Sequence, residues 1–202
     1  MKLFYTPGAC SLAPHIVAHE AGIELRLQKV DINTKTVAAP GDFWAINPKG
    51  YVPALELDNG ELLTEGTTIA QYLADRKPET GLAPAAGTLE RYRLQETLGY
   101  LNSEIHKTYS MLFTPNLPQE VRTEREEYLL RRYLLIDQKL ERRQYLFGDE
   151  LTVADAYLFT VTSWAAFVKV DLSKFANLKK FQERVAARPA VRAAMKAEGL
   201  IN

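Results

Sequence analysis

The sequence predicts an α/β domain followed by an all-α domain. Three observations predict it: a strand–helix–strand pattern within residues 2–32, a turn-linked strand pair around Asp58-Asn59-Gly60, and helical periodicity with no strand pattern from Thr88 onward. A length of 202 residues suits two domains of ordinary size better than one. Hydrophobic residues make up 47% and aromatics 10%, enough apolar surface for real cores, so disordered and disulfide-stapled classes are excluded. Lys plus Arg and Asp plus Glu both number 25, leaving no excess charge to recruit nucleic acid or an anionic membrane. The N-terminal MKLFYTPGACS breaks at Pro7-Gly8 before a signal core forms. The longest stretch free of both histidine and formal charge, Ala156 to Val168, has 13 residues and is too short to span a bilayer. A cytoplasmic chain without membrane or nucleic-acid partners is therefore expected, and its single cysteine excludes an internal disulfide.

Residues 2–5, KLFY, read as a first strand ended by Pro7-Gly8. A helix follows, with Ser11 as an acceptable cap, Pro14 in a tolerant first turn, Leu12, Ile16 and Val17 on one face, and Gly22 as its stop. Ile23 to Ile32 is the second strand; a βαβ unit of this length makes the two strands parallel. After a polar loop, Asp42 to Ile46 suggests a single helical turn, broken by Asn47-Pro48-Lys49-Gly50. Ala54–Leu57 and Glu61–Thr64 flank Asp58-Asn59-Gly60, whose Asn-Gly accepts the positive φ of a tight turn. A helix from Gly66 or Thr67 to Arg76 closes the domain. The expected division is 1–79, a linker at 80–87 and a helical domain at 88–202.

In the second half, Leu98, Leu101, Ile105, Tyr109 and Leu112 form the apolar stripe of one long helix. Pro118 to Arg143 gives another, with Leu129, Tyr133, Ile136 and Leu140 inward. A third starts at Leu151-Thr152-Val153-Ala154-Asp155, where Asp155 answers Thr152 in a carboxylate version of the capping box. Shorter helices are expected at Leu178 to Ala187 and Ala190 to Ala197.

Cys10 follows a strand and turn at the first turn of a helix, where unpaired N–H groups and the helix dipole favour a thiolate. No second cysteine stands three residues later, so a resolving thiol must come from a bound small thiol. Val52-Pro53 precedes a strand, leaving the backbone of Val52 to pair with a peptide-like ligand. Glu65 and the N–H groups at Gly66 and Thr67 together suit the ammonium and carboxylate of an amino-acid end. Gly99, Ser103, His106 and Ser110 form a small, polar stripe; the choices for it are a close helix contact, solvent, or a cleft in which His106 donates to a sulfur or an anion. His15 and His19 lack the companions of a metal site, and no metal is expected. Trp164, Tyr157 and Phe167 read as core.

Five ordered segments, KLFYTPGACSL at 2–12, NPKGYVPAL at 47–55, LLTEGTTIAQYLAD at 62–75, LNSEIHK at 101–107 and LTVADAYLFTV at 151–161, make the whole chain resemble the soluble glutathione transferases, within them the bacterial beta class. The resemblance implies a thioredoxin-like domain with a cis Pro53, an all-helical domain, and a homodimer whose sites border the partner chain. It implies a glutathione site with Cys10 at the sulfur, Lys35 at the glycyl carboxylate, Val52 and Pro53 along the cysteinyl backbone, and Glu65 with Gly66 at the γ-glutamyl end. Gly99, Ser103, Glu104 and His106 would be the helical contribution, with Cys10, Ser11 and His106 as catalytic candidates and Tyr5 not the main activator. Gly99 and Gly66 stand where relatives of this class carry asparagine and serine, so only backbone contacts remain there. The implied activity is detoxifying conjugation of glutathione to small electrophiles. Glutathione-dependent thiol–disulfide or peroxide chemistry, and a non-catalytic binding protein on the same fold, are the alternatives.

Overall fold

The computed structural model describes residues 1–37 and 41–202. In chain order the elements are β1 (Lys2–Tyr5), α1 (Leu12–Glu20), β2 (Arg26–Asp31), β3 (Thr36–Val37), β4 (Gly41–Asp42), α2 (Phe43–Ile46), β5 (Ala54–Glu56), β6 (Leu62–Thr64) and α3 (Gly66–Asp75). After a 3-10 turn at Pro78–Thr80 come α4 (Leu89–Tyr100), a π-helical turn at Leu101–His106, α5 (Lys107–Leu112), α6 (Gln119–Leu140), α7 (Val153–Val168), α8 (Ala176–Ala186) and α9 (Pro189–Ala197). Two compact units result: Met1–Ala83 together with Ala187–Asn202, and Pro84–Ala186.

The first unit is a thioredoxin-like α/β domain. Among the described residues its sheet has six strands in the order β4-β3-β2-β1-β5-β6. β1 and β2 are parallel, with Leu3 opposite Leu27, as the βαβ pattern requires; β5 lies antiparallel to β1 and to β6. Leu3 and Phe4 are both buried, and because neighbouring strand residues point to opposite faces, both faces of β1 are covered. Phe4 packs with Val30, Phe43, Val52 and Ala54 in one core cluster. α1 ends as the sequence predicts. Gly22 takes φ +64, and the N–H groups of Ile23 and Gly22 return to Ala18 and His19, the paired bonds of a Schellman motif. The Asp58-Asn59-Gly60 turn forms with Gly60 at φ +84.

Around the first unit, four sequence expectations differ from what is found. The second strand is shorter, Arg26–Asp31, because residues 23–25 are spent leaving the helix cap. The loop after it carries β3, two residues antiparallel to β2, too short to have a periodicity; Ala38, Ala39 and Pro40 lie outside the described residues. Ser11 does not cap α1 with its side chain; its hydroxyl is engaged by Thr6 instead. Residues 187–202, expected with the helical domain, group with the first unit, where α9 packs on α1.

The second unit is all helical. α7 is its centre, with 13 of its 16 residues buried, which explains why its sequence is apolar all round. Trp164 is 7% exposed and belongs to the core, as expected, whereas Phe167 is 85% exposed and does not. The single long helix expected from Leu98 to Leu112 is interrupted by the π turn, where the N–H of Lys107 reaches Asn102 O. A π turn adds a residue to one turn of helix and often marks a functional position. Among the described residues, no helix is long and apolar enough to cross a membrane.

Candidate functional site

In the first unit the thiol, the peptide edge and the start of α3 meet. Cys10 lies in the turn between β1 and α1, partly buried and in no disulfide, and its Sγ–H donates to Val52 O at 3.2 Å. Val52-Pro53 is a cis bond. A Cβ on Gly66 would sit 3.3 Å from Pro53 Cγ and 3.9 Å from Cys10 O, so Gly66 is where α3 closes on both. Any larger residue there must push Pro53 by a few tenths of an ångström.

Glu65 is the strained residue of this group. It holds φ +68 and ψ 111, outside the left-handed helical well that non-glycine residues occasionally occupy. Such a conformation costs about 1–3 kcal/mol and survives where the surroundings impose it. Its carboxylate accepts from Lys49 Nζ at 2.6 Å, and Lys49 also donates to Thr64 Oγ1. An ammonium therefore already occupies the place expected for a ligand's amino group. Both side chains are more than half exposed, so this pair is weak and readily exchanged. The sequence reading missed Lys49, whose only signal is its place in the loop before Tyr51.

Lys35 also has positive φ, +58. Its ammonium donates to Gly50 O at 2.8 Å and lies 5.7 and 5.4 Å from the ring centroids of Trp44 and Tyr51. Gly50, at φ +65, cannot carry a side chain: a Cβ there would stand 2.4 Å from the Trp44 ring. Trp44 and Tyr51 are 48% and 71% exposed, so the aromatic walls around Lys35 are open to a ligand.

The turn that carries Cys10 is fixed from two directions. Ser11, fully buried, donates to Thr6 O and accepts from Thr6 N–H, both at 3.2 Å. Glu198, at the C-cap of α9, accepts from Gly8 N–H at 2.9 Å and from His15 Nδ1 at 2.9 Å, with its side chain fully buried. His15 is thus a satisfied core histidine, and among the described residues no metal-ligand cluster exists. Tyr5 keeps its phenol proton: burial first, and the charge of Glu198 second, push its pKa up. Nothing in the sequence joins Glu198 to Gly8, which are 190 residues apart.

In the second unit, Asn102, Ser103, Glu104 and His106 all belong to the π turn. His106 Nδ1 is 2.6 Å from the hydroxyl of Tyr157, and its ring meets Trp164 edge-on at 4.8 Å. Burial, then the nearby charge of Lys107, lowers the His106 pKa to about 4, so the ring is neutral at pH 7. Tyr157 and Trp164 both pack on the His106 ring. Glu104 accepts from the Tyr128 hydroxyl and pairs with Arg132 Nε at 2.8 Å. The Tyr128 bond, with Arg132 behind it, holds the Glu104 carboxyl below its usual range. Ser103 donates to Glu104 at 3.4 Å. Gly99 is exposed, and a Cβ there would meet open space, so within this unit no close contact requires glycine.

Comparison with known proteins places these residues in a context. Family models described as the N-terminal and C-terminal domains of glutathione S-transferase match residues 8–76 and 100–189. A glutathione S-transferase named GstA, from Escherichia coli O157:H7, is 44% identical over 200 residues, covering 99% of this chain and all of the relative. Two solved structures superpose over the full length of both chains with TM-scores of 0.95. One is a sphingomonad glutathione S-transferase complexed with glutathione, at 44% identity; the other is a bacterial beta-class glutathione S-transferase from Sphingomonas chungbukensis, at 47%.

Proposed function

The chain belongs to the glutathione S-transferase family and groups with its bacterial beta-class members, and from that premise we propose which of its residues hold glutathione and carry the conjugation. The observation that carries the reading is the thiol of Cys10 lying 3.2 Å from the Val52 carbonyl, against the backbone edge beside Pro53. A peptide paired to that edge through its cysteinyl residue brings its own sulfur to Cys10. Glutathione loses its thiol proton to solvent, and Cys10 turns its S–H from Val52 O to donate to the thiolate. The sulfur then attacks an electrophilic carbon: the S–C bond forms as the leaving group departs with its electron pair.

At the γ-glutamyl end, Glu65 exchanges the ammonium of Lys49 for that of the ligand, and the N–H groups at the start of α3, Gly66 and Thr67, receive the carboxylate. Lys35, framed by Trp44 and Tyr51, receives the glycyl carboxylate. Ser11 holds the turn rather than touching the ligand, since its hydroxyl is buried and bonded twice to Thr6. For the second unit, resemblance is the support for assigning Gly99, Ser103, Glu104 and His106 to glutathione. A homodimer, a cytoplasmic location and a detoxifying role rest on the same support. Thiol–disulfide exchange remains a second activity of the same residues, favoured by Cys10 being the one thiol of the chain.

Replacing the strained Glu65 tests the reading, because strain and binding pull in opposite directions. Glu65→Gly removes the positive-φ penalty while giving up a weak surface pair and some chain entropy, so unfolding stability should hold or rise by up to about 1 kcal/mol. Glutathione affinity in a calorimetric titration should fall about ten-fold or more, the worth of a charge-assisted contact. Undiminished affinity would remove Glu65 from the site. Turnover with a panel of electrophiles, disulfides and peroxides then decides between conjugation and exchange.

A further inference from the structure

The hydroxyl of Tyr157 has one proton, and Asn102 and His106 both bond to it. It lies 3.0 Å from Asn102 Oδ1, which can only accept, and 2.6 Å from His106 Nδ1. The proton is therefore committed to Asn102, and the bond to His106 needs its proton from the imidazole. We propose that Asn102 and Tyr157 fix His106 in the Nδ1–H tautomer, leaving its Nε2 bare as a hydrogen-bond acceptor, and that Asn102 and Tyr157 are thereby positioning residues for the reaction.

The arrangement is a product of the π turn and α7. Asn102 and His106 are the second and last residues of that turn, and Tyr157, 2% exposed, comes from the first turns of α7. Trp164, from the same helix, stands edge-on to the imidazole at 4.8 Å, an interplanar angle of 74°, which restricts rotation of the ring. Burial keeps the imidazole neutral, so the second nitrogen carries no proton while the first is bound to Tyr157. This reverses the role expected from the sequence, in which His106 donates to a sulfur or an anion. A bare Nε2 suits a peptide N–H, an ammonium or an un-ionised thiol, and repels a thiolate or carboxylate.

The inference rests on the reading that His106 serves the glutathione reaction, but its first test does not depend on that reading. Nitrogen-15 NMR of the ligand-free protein distinguishes the protonated from the bare ring nitrogen, and His106→Asn identifies the signal among the three histidines. Wild type should show the proton on Nδ1. Asn102 is exposed, so Asn102→Leu should fold, with Asn102→Ala as a second variant and thermal melting as the check. In both, the Tyr157 proton turns to Nδ1 and the ring proton moves to Nε2. Asn102→Asp, which keeps an accepting oxygen and loses the amide donors, should keep the wild-type tautomer. In steady-state kinetics with glutathione and an aryl halide, Asn102→Leu should lose about ten-fold in kcat/KM and Asn102→Asp should retain it. A wild-type proton on Nε2, or a tautomer unmoved by Asn102→Leu, overturns the proposal. A moved tautomer with unchanged kcat/KM overturns the positioning role. Wild-type protein that conjugates nothing would instead sink the functional reading while leaving the NMR result standing.

Discussion

Glu198→Ala is expected to cost about 3–5 kcal/mol of unfolding stability and to loosen the turn that presents Cys10. The carboxylate is fully buried and accepts from the buried His15 Nδ1 and the part-buried Gly8 N–H, both at 2.9 Å, so its removal takes an acceptor from each. The chemical effect follows from position: Gly8 is two residues before Cys10, and the Cys10 thiol is placed by that turn against Val52. Urea unfolding reads the first effect, and the rate of Cys10 alkylation in the folded protein, several-fold changed, reads the second. Glu198→Gln keeps one acceptor and should fall between wild type and Glu198→Ala. Wild-type stability in Glu198→Ala would show that the C-terminal segment does not hold the turn.

Asp155→Ala is expected to destabilise by a similar amount, about 3–5 kcal/mol, from the other unit. One carboxylate oxygen accepts from Leu146 N–H at 2.7 Å; the other accepts from Thr152 N–H at 2.8 Å and Thr152 Oγ1 at 2.7 Å. The loss unfastens the start of α7, the helix that brings Tyr157 and Trp164 to His106. Burial pushes the Asp155 carboxyl up to about 6, against the bonds from Leu146 and Thr152. A carboxyl easier to protonate folded than unfolded gains stability as pH falls from about 6 toward 3.8, so the gap between wild type and Asp155→Ala should widen over that window. His106 works the other way: with its pKa lowered from 6.5 to about 4, its contribution is lost as pH falls between those values. Denaturant unfolding at pH 7 and pH 4.5 measures both.

The parts of the fold legible in the sequence are those fixed within a few residues. Gly22 and Gly60 mark backbone turns that need positive φ, and Asp155 lies three residues from the Thr152 it answers. The strand–helix–strand succession within residues 2–32 pointed to the parallel pair. What was hidden depends on distant partners. No local pattern pairs Glu198 with Gly8, or seats Lys49 on Glu65, and the π turn at Leu101–His106 looks like ordinary helix in sequence. His106 shows why a site is harder to read than a core: its small, polar helical neighbours fitted a helix contact, solvent or a cleft alike, while the rings that pack on it come from α7, read only as core. Of the candidate residues, Cys10, Val52, Pro53 and Gly66 come together in the first unit.

The central claim is that Cys10 sits where the sulfur of bound glutathione arrives. Exposure of the protein to glutathione disulfide, followed by intact mass spectrometry, tests it most directly, because Cys10 is the single cysteine. Attack of the Cys10 thiolate on one sulfur of the disulfide forms the protein–glutathione bond and releases glutathione thiolate. A reducible adduct of one glutathione should form faster on the folded protein than on the urea-unfolded chain, and not at all on Cys10→Ala. An adduct that appears only when the chain is unfolded would contradict the account.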